Sequence, residues 1–233
     1  MMKKKDMYLL IDLDGTVYDR NNGMMDEMTR RIDLFMEHKL GIPHADVAAT
    51  RNKYYSTYGS TLSGIQMFHK VDPVDYLDYI HDLDLAKYLK PDTSLRDSLA
   101  SIPYPKWIFT NSAKFHAQRV LEFMELDDLF EGIMDVWEMS FIPKPHSWTY
   151  KHAIKLIGNP DPRECVFVDD KLINLEVPHS MGWKTVWING EDQNPKADFS
   201  ISKIHYLLDV IGQIEFGTWI EGIPSYHNKV AAY

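Results

Sequence analysis

Met7-Tyr8-Leu9-Leu10-Ile11 is a short continuous apolar run that ends abruptly in Asp12, with Gly15 close behind. So short a run, apolar at every position, reads as a strand buried on both faces. Similar runs recur at Lys106-Trp107-Ile108-Phe109-Thr110, Gly132-Ile133-Met134-Asp135-Val136, Cys165-Val166-Phe167-Val168-Asp169 and Lys184-Thr185-Val186-Trp187-Ile188, with a weaker sixth at Phe199-Ser200-Ile201. Between them, Phe115 to Leu126 and Trp148 to Ile157 carry apolar residues at helical spacing. Alternating strand and helix predicts an α/β chain: a Rossmann-like parallel sheet with helices on both faces and ligands beyond the carboxyl ends of its strands.

One segment breaks this rhythm. From about Tyr18 to Tyr88 no convincing strand is present, whereas Met28, Ile32, Phe35 or Met36, and Leu40 form an apolar stripe stopped by Gly41 and Pro43. The division expected is a core of residues 1–17 and 89–233, with residues 18–88 inserted as a helical cap over the end of the first strand. Pro178 is expected near the first turn of a helix starting close to Asn174, and Gly182 at that helix's end. The stretch from Phe216 to Tyr233, with Trp219, Ile220 and Tyr226, is too aromatic for a simple solvated tail.

Composition limits the partners. The 25 basic against 34 acidic side chains leave a net charge of −9, which disfavours a nucleic-acid polymer but not a small anionic substrate beside a local cation or metal. No stretch approaches the roughly 20 apolar residues that span a bilayer. Met1-Met2-Lys3-Lys4-Lys5 is followed by too short an apolar run for an export signal, and Cys165 is the only cysteine. A cytoplasmic, reducing setting is expected.

The chemistry-bearing residues lie at strand ends. In Asp12-Leu13-Asp14-Gly15-Thr16 a period of two puts both carboxylates on one side of the chain. Two acids held together repel unless a cation joins them or their acid and base roles are split; an isolated Asp-x-Asp can also simply cap a turn. Asp169-Asp170 closes the fourth strand in the same way, so four carboxylates converge on one sheet edge, a hard-oxygen set that suits magnesium. Thr110-Asn111-Ser112 ends the second strand before a helix starting near Ala113 and can hold an anion, although Ser112 alone reads as an N-cap. Lys144, aimed by the flanking prolines of Pro143-Lys144-Pro145, can neutralise a phosphate at the same edge.

The order Asp-x-Asp-Gly-Thr, Thr-Asn, Lys-Pro and Asp-Asp-x-x-x-Asn, from Asp12 to Asn174, resembles the haloacid dehalogenase (HAD) superfamily of phosphohydrolases. The resemblance implies magnesium-dependent chemistry through an aspartyl-phosphate. Asp12 would be the nucleophile and Asp14 the acid/base. Asp12, Asp170 and the backbone carbonyl of Asp14 would hold the metal, with Asp169 contributing directly or from behind. Thr110 and the Asn111 amide would bind phosphoryl oxygens, and Lys144 would balance charge. The cap stretches Asn52 to Gly59 and Gly64 to Val71, with Tyr18 and Leu89-Lys90-Pro91-Asp92, are similar to the pyrimidine 5′-nucleotidase subgroup, implying a nucleoside 5′-monophosphate as substrate. Tyr54, Tyr58 and Phe68 would be either core or base-stacking platform. The alternatives are a phosphatase for another small metabolite, such as a sugar phosphate or phosphoglycolate, and a silent phosphate-binding regulator. Ser112 and Lys171 replace residues that are usually small in such proteins.

Overall fold

The computed structural model describes residues 6–188 and 196–216, so Lys3 to Lys5 and the aromatic stretch beyond Phe216 lie outside the described residues. Six strands form one parallel sheet: β1 (Tyr8–Ile11), β2 (Lys106–Phe109), β3 (Gly132–Met134), β4 (Cys165–Asp169), β5 (Lys184–Ile188) and β6 (Phe199–Ile201). Their order is β3-β2-β1-β4-β5-β6, which puts β1 between β2 and β4, with Ile11 opposite both Ile108 and Val168. The expected α/β class and parallel sheet are what the chain adopts.

The central strands are largely apolar because alternate residues serve two different cores. Leu9, Ile11, Ile108, Val166 and Val168 face a cluster closed by α5 (Thr93–Ala100), α6 (Lys114–Phe123) and α9 (Leu207–Phe216). Leu10, Phe109 and Phe167 face the opposite one, closed by Tyr150 and Ala153 of α7 (Ser147–Leu156) and Leu175 of α8 (Leu172–Ser180). Burying each such side chain stabilises the fold by roughly 1.5–3 kcal/mol, so neither face of the sheet can be left bare.

Between β1 and α5 lie α1 (Met24–His38), α2 (His44–Tyr58), α3 (Thr61–Phe68) and α4 (Pro73–His81). They share a third cluster that includes Phe35, Met36, Val47, Tyr54, Ile65, Tyr76 and Ile80. α2 and α3 meet closely because residue 64 is glycine: a Cβ there would stand 2.3 Å from the Tyr54 ring. α1 serves two cores, since Met24 and Met28 pack with the sheet cluster and Phe35 and Met36 with the helical one. Among the described residues no helix is long and apolar enough to cross a membrane.

One local expectation is corrected. Pro178 sits in the last turn of α8 rather than its first, and the helix begins at Leu172. Proline withdraws the N–H that the Asn174 carbonyl would accept. The Tyr150 hydroxyl donates to that carbonyl instead, at 2.7 Å, so the helix continues through the proline.

Candidate active site

The chain leaves β1 at Asp12, whose N–H still donates to Val168 O at 2.9 Å, so its carboxylate is carried at the end of a strand held on both sides. Lys144 enters from the connection between β3 and α7. Its ammonium donates to Asp12 Oδ1 at 2.8 Å, Asp169 Oδ2 at 2.9 Å and the Phe109 carbonyl at 2.7 Å, with the Phe109 and Phe167 ring centroids each 5.1 Å away. Burial alone would drive this lysine towards neutrality, but Asp12 and Asp169 overcome it and hold its pKa above the ordinary value. Asn111 fixes the backbone beneath: its side-chain amide donates to the Lys144 carbonyl at 3.1 Å and accepts from the Lys144 N–H at 2.9 Å. The Asn111 side chain is therefore committed to placing Lys144.

Asp12, Asp169 and Asp170 each offer an oxygen within 4.8 Å of the others, and all three are buried. They differ in how far their hydrogen bonding is met. Asp169 accepts from Lys144, from the Lys171 N–H at 2.8 Å, and from Asn174 Nδ2 at 3.0 Å to each oxygen. Asp170 accepts only a 3.2 Å contact from Arg20 on Oδ2, while Oδ1 is buried with no hydrogen-bond partner among the described residues. A buried carboxylate oxygen without a donor is costly, and a hard cation is the group that would satisfy it. Burial and the neighbouring Asp169 charge push the Asp170 carboxyl above its ordinary value. The all-oxygen set and this orphaned atom fit a magnesium ion. Gly15 permits the close turn beneath them: its φ is +85°, and a Cβ would lie 2.9 Å from Asp170 Oδ2.

Asp14 is delivered by this turn rather than by strand alternation, because β1 has ended at Ile11. Its carboxylate is not among the three clustered acids. Oδ1 accepts from the Tyr18 hydroxyl at 2.6 Å and pairs with His116 Nε2 at 3.0 Å, while Oδ2 accepts a short hydrogen bond from the Ser112 hydroxyl. Burial would raise the Asp14 pKa, yet His116, Ser112 and Tyr18 outweigh it and hold the carboxyl well below the usual range. Ser112 therefore does not cap α6. The N-cap residue is Ala113, and the first free N–H, on Lys114, is taken by Asp135 Oδ2 at 2.8 Å. Thr110 is buried beside Asn111, its hydroxyl accepting the Ser112 N–H at 3.0 Å.

The sheet thus brings Asp12, Asp14, Thr110, Asn111, Lys144, Asp169 and Asp170 to one edge. His116, Arg20 and Asp135 also belong to the surroundings and escaped the motif reading. For His116 a signal existed: it shares the spacing of Ala113, Ala117 and Val120, the buried stripe of α6, where a polar residue needs a partner. Cys165 is buried on β4, and burial pushes its thiol up to about 12, away from reactivity. A cavity of about 870 Å³ lies elsewhere, between α1, α4 and α6, with His81, Phe115 and Arg119 in its wall.

Comparison with known proteins gives the family and the fold. The family model described as haloacid dehalogenase-like hydrolase matches residues 7–182. Phosphate metabolism protein 8 of Saccharomyces cerevisiae is 30% identical in an alignment of 208 positions that covers 83% of this chain and 65% of the yeast protein. Glyceraldehyde 3-phosphate phosphatase of Pyrococcus furiosus is 32% identical in an alignment of 96 positions that covers 38% of this chain and 39% of that protein. The chain therefore spans less than two thirds of the length of these curated relatives. A HAD phosphatase from Thermococcus onnurineus gives a TM-score of 0.60 at 22% identity, over 88% of this chain and 98% of that one. The magnesium-bound HAD-hydrolase YfnB from Bacillus subtilis gives 0.60 at 16% identity, over 90% and 100%. At these identities the likeness is one of fold.

Proposed function

The chain belongs to the haloacid dehalogenase-like hydrolases, and from that premise we propose that it is a magnesium-dependent phosphomonoester hydrolase that carries the phosphoryl group on Asp12. The observation that carries the reading is the buried group of Asp12, Asp169 and Asp170 with the Lys144 ammonium between two of them. Asp12, Asp170 and the Asp14 backbone carbonyl would hold the metal, and Asp169, already saturated by donors, would support them. When bound, magnesium supplies positive charge against the phosphoryl oxygens.

The chain's own residues do the rest. The Asp12 carboxylate attacks phosphorus while the ester P–O bond breaks, its electron pair leaving on an oxygen that takes a proton from Asp14. Water then gives a proton to Asp14 as its oxygen attacks phosphorus and frees Asp12. Thr110 and the Asn111 backbone amide hold phosphoryl oxygens, and Lys144 stays charged against Asp12 and the transferring group.

For the substrate, we read residues 18–88 as a cap over this edge and a nucleoside 5′-monophosphate as the ester, the pyrimidine 5′-nucleotidase-like reading. Support comes from Lys171, whose ammonium lies 5.7 Å from the Tyr55 ring centroid and so puts α2 next to the acidic edge. Tyr54 stacks on Phe68 with centroids 5.5 Å apart, and Phe68 is 57% exposed, leaving an aromatic surface for a base. The likeness to a glyceraldehyde 3-phosphate phosphatase favours a second reading, a small sugar phosphate. A buried lone cysteine suits a reducing, cytoplasmic setting. The test is phosphate release from nucleoside monophosphates, triose phosphate and phosphoglycolate, with and without magnesium. Turnover should require the ion and disappear in Asp12→Asn; turnover in that variant would exclude the covalent route.

A further inference from the structure

Lys171 has no part in the steps above. It stands at the N-cap of α8, one residue after Asp170, yet its side chain does not cap the helix. Its backbone N–H serves Asp169, while its half-buried side chain places the ammonium over the Tyr55 ring of α2. Among the described residues that ammonium makes no hydrogen bond or ion pair. Lys144, by contrast, spends its three donors on Asp12, Asp169 and the Phe109 carbonyl. A ring face occupies one side of an ammonium and accepts none of its hydrogen bonds fully, so Lys171 keeps donors for an acceptor that comes from solution. Tyr55, 47% exposed, leaves that approach open.

The Thr110 loop and Lys144 reach Asp12 from the side of β2, whereas Lys171 follows β4, on the other side of β1. A phosphoryl group on Asp12 would find its donors on the first side. In-line displacement sends the leaving alcohol away from Asp12, out past the sheet edge. We infer that Lys171 is a binding residue for that alcohol: its ammonium donates to an oxygen the alcohol carries, and so selects oxygen-rich esters, nucleosides or sugars, over plain alkyl ones. The inference rests on the phosphatase reading and deepens it.

Three primary alkyl esters, all leaving as alkoxides, separate this role from service to the phosphoryl group. Uridine 5′-monophosphate and a triose phosphate carry acceptor oxygens; propyl phosphate has none on its carbon chain. With the magnesium-loaded protein, Lys171→Met should raise KM on the preferred oxygen-bearing ester about 10-fold or more at nearly constant kcat, and change kcat/KM on propyl phosphate less than about 3-fold. The ester that loses most shows whether the acceptor belongs to a nucleoside or to a sugar. Lys171→Arg, which keeps charge and donors, should stay within about 3-fold of wild type on all three. Lys171→Ala should repeat the split and covers the case in which the methionine variant does not fold. Equal losses on all three esters, or no loss on any, would overturn the inference alone. A wild-type protein that releases phosphate from none of them would overturn the proposed function, and the inference with it.

Discussion

Burial pushes the Asp12 carboxyl up to about 7; the carboxylates of Asp169, Asp170 and Asp14 add to the effect and the Lys144 ammonium opposes it. In the unfolded chain the same group titrates near 3.8. Between those values the cation-free folded state keeps a proton that the unfolded state has lost. Folding stability contributed by Asp12 therefore falls as pH rises from about 4 to about 7, by at most about 1.4 kcal/mol per pH unit. A divalent cation held by these acids would take the place of that proton, so on the proposed reading magnesium affinity should rise over the same window. Melting temperatures of chelator-treated protein across this range should fall more steeply for wild type than for Asp12→Asn; parallel curves would contradict the assignment. That Asp12, Asp169 and Asp170 meet was legible in the sequence because carboxylates closing buried neighbouring strands converge, whereas Asp14 and Lys144 reach the same edge from the turn after β1 and from the connection between β3 and α7. His116 could not be read so directly, because the carboxylate it pairs with lies 102 positions away.

Helix α8 shows how an element survives a residue that should break it. The Asn174 carbonyl, deprived of a partner by Pro178, is served by Tyr150 from α7. Tyr150→Phe should cost about 1–3 kcal/mol, the penalty for a buried unsatisfied carbonyl. In a Pro178→Ala background, where the backbone regains its N–H, the same change should cost clearly less. Denaturant unfolding of the four proteins in this cycle measures the coupling, and strict additivity would refute it. β4 lies where its apolar run places it because a strand buried at every position leaves an uninterrupted mark, and β5 and β6 follow beside it where their shorter runs fall. Pro178 was misplaced since the compensating hydroxyl comes from a different helix. Helix α6 likewise begins without the expected serine cap, because the Asp135 carboxylate reaches its first N–H from the end of β3.

At the scale of the molecule, a net charge of −9 coexists with three cations at one edge: Lys144, Lys171 and Arg20. Diffuse negative charge and local positive charge are compatible because screening confines each to its neighbourhood. Tyr55, 47% exposed and set beside Lys171, tests whether α2 overlies the substrate. Tyr55→Ala should leave stability within about 0.5 kcal/mol, as expected of an exposed position, while raising KM several-fold at nearly constant kcat. An unchanged KM would place α2 outside the binding surface. The strand order carries one more consequence. The sheet is two wings, β3-β2 and β4-β5-β6, joined along β1, and the acids come from β1 and one wing while the Thr110 loop and Lys144 come from the other. Gentle heating that loosens this seam should abolish the proposed phosphate release while circular dichroism still reports intact wings.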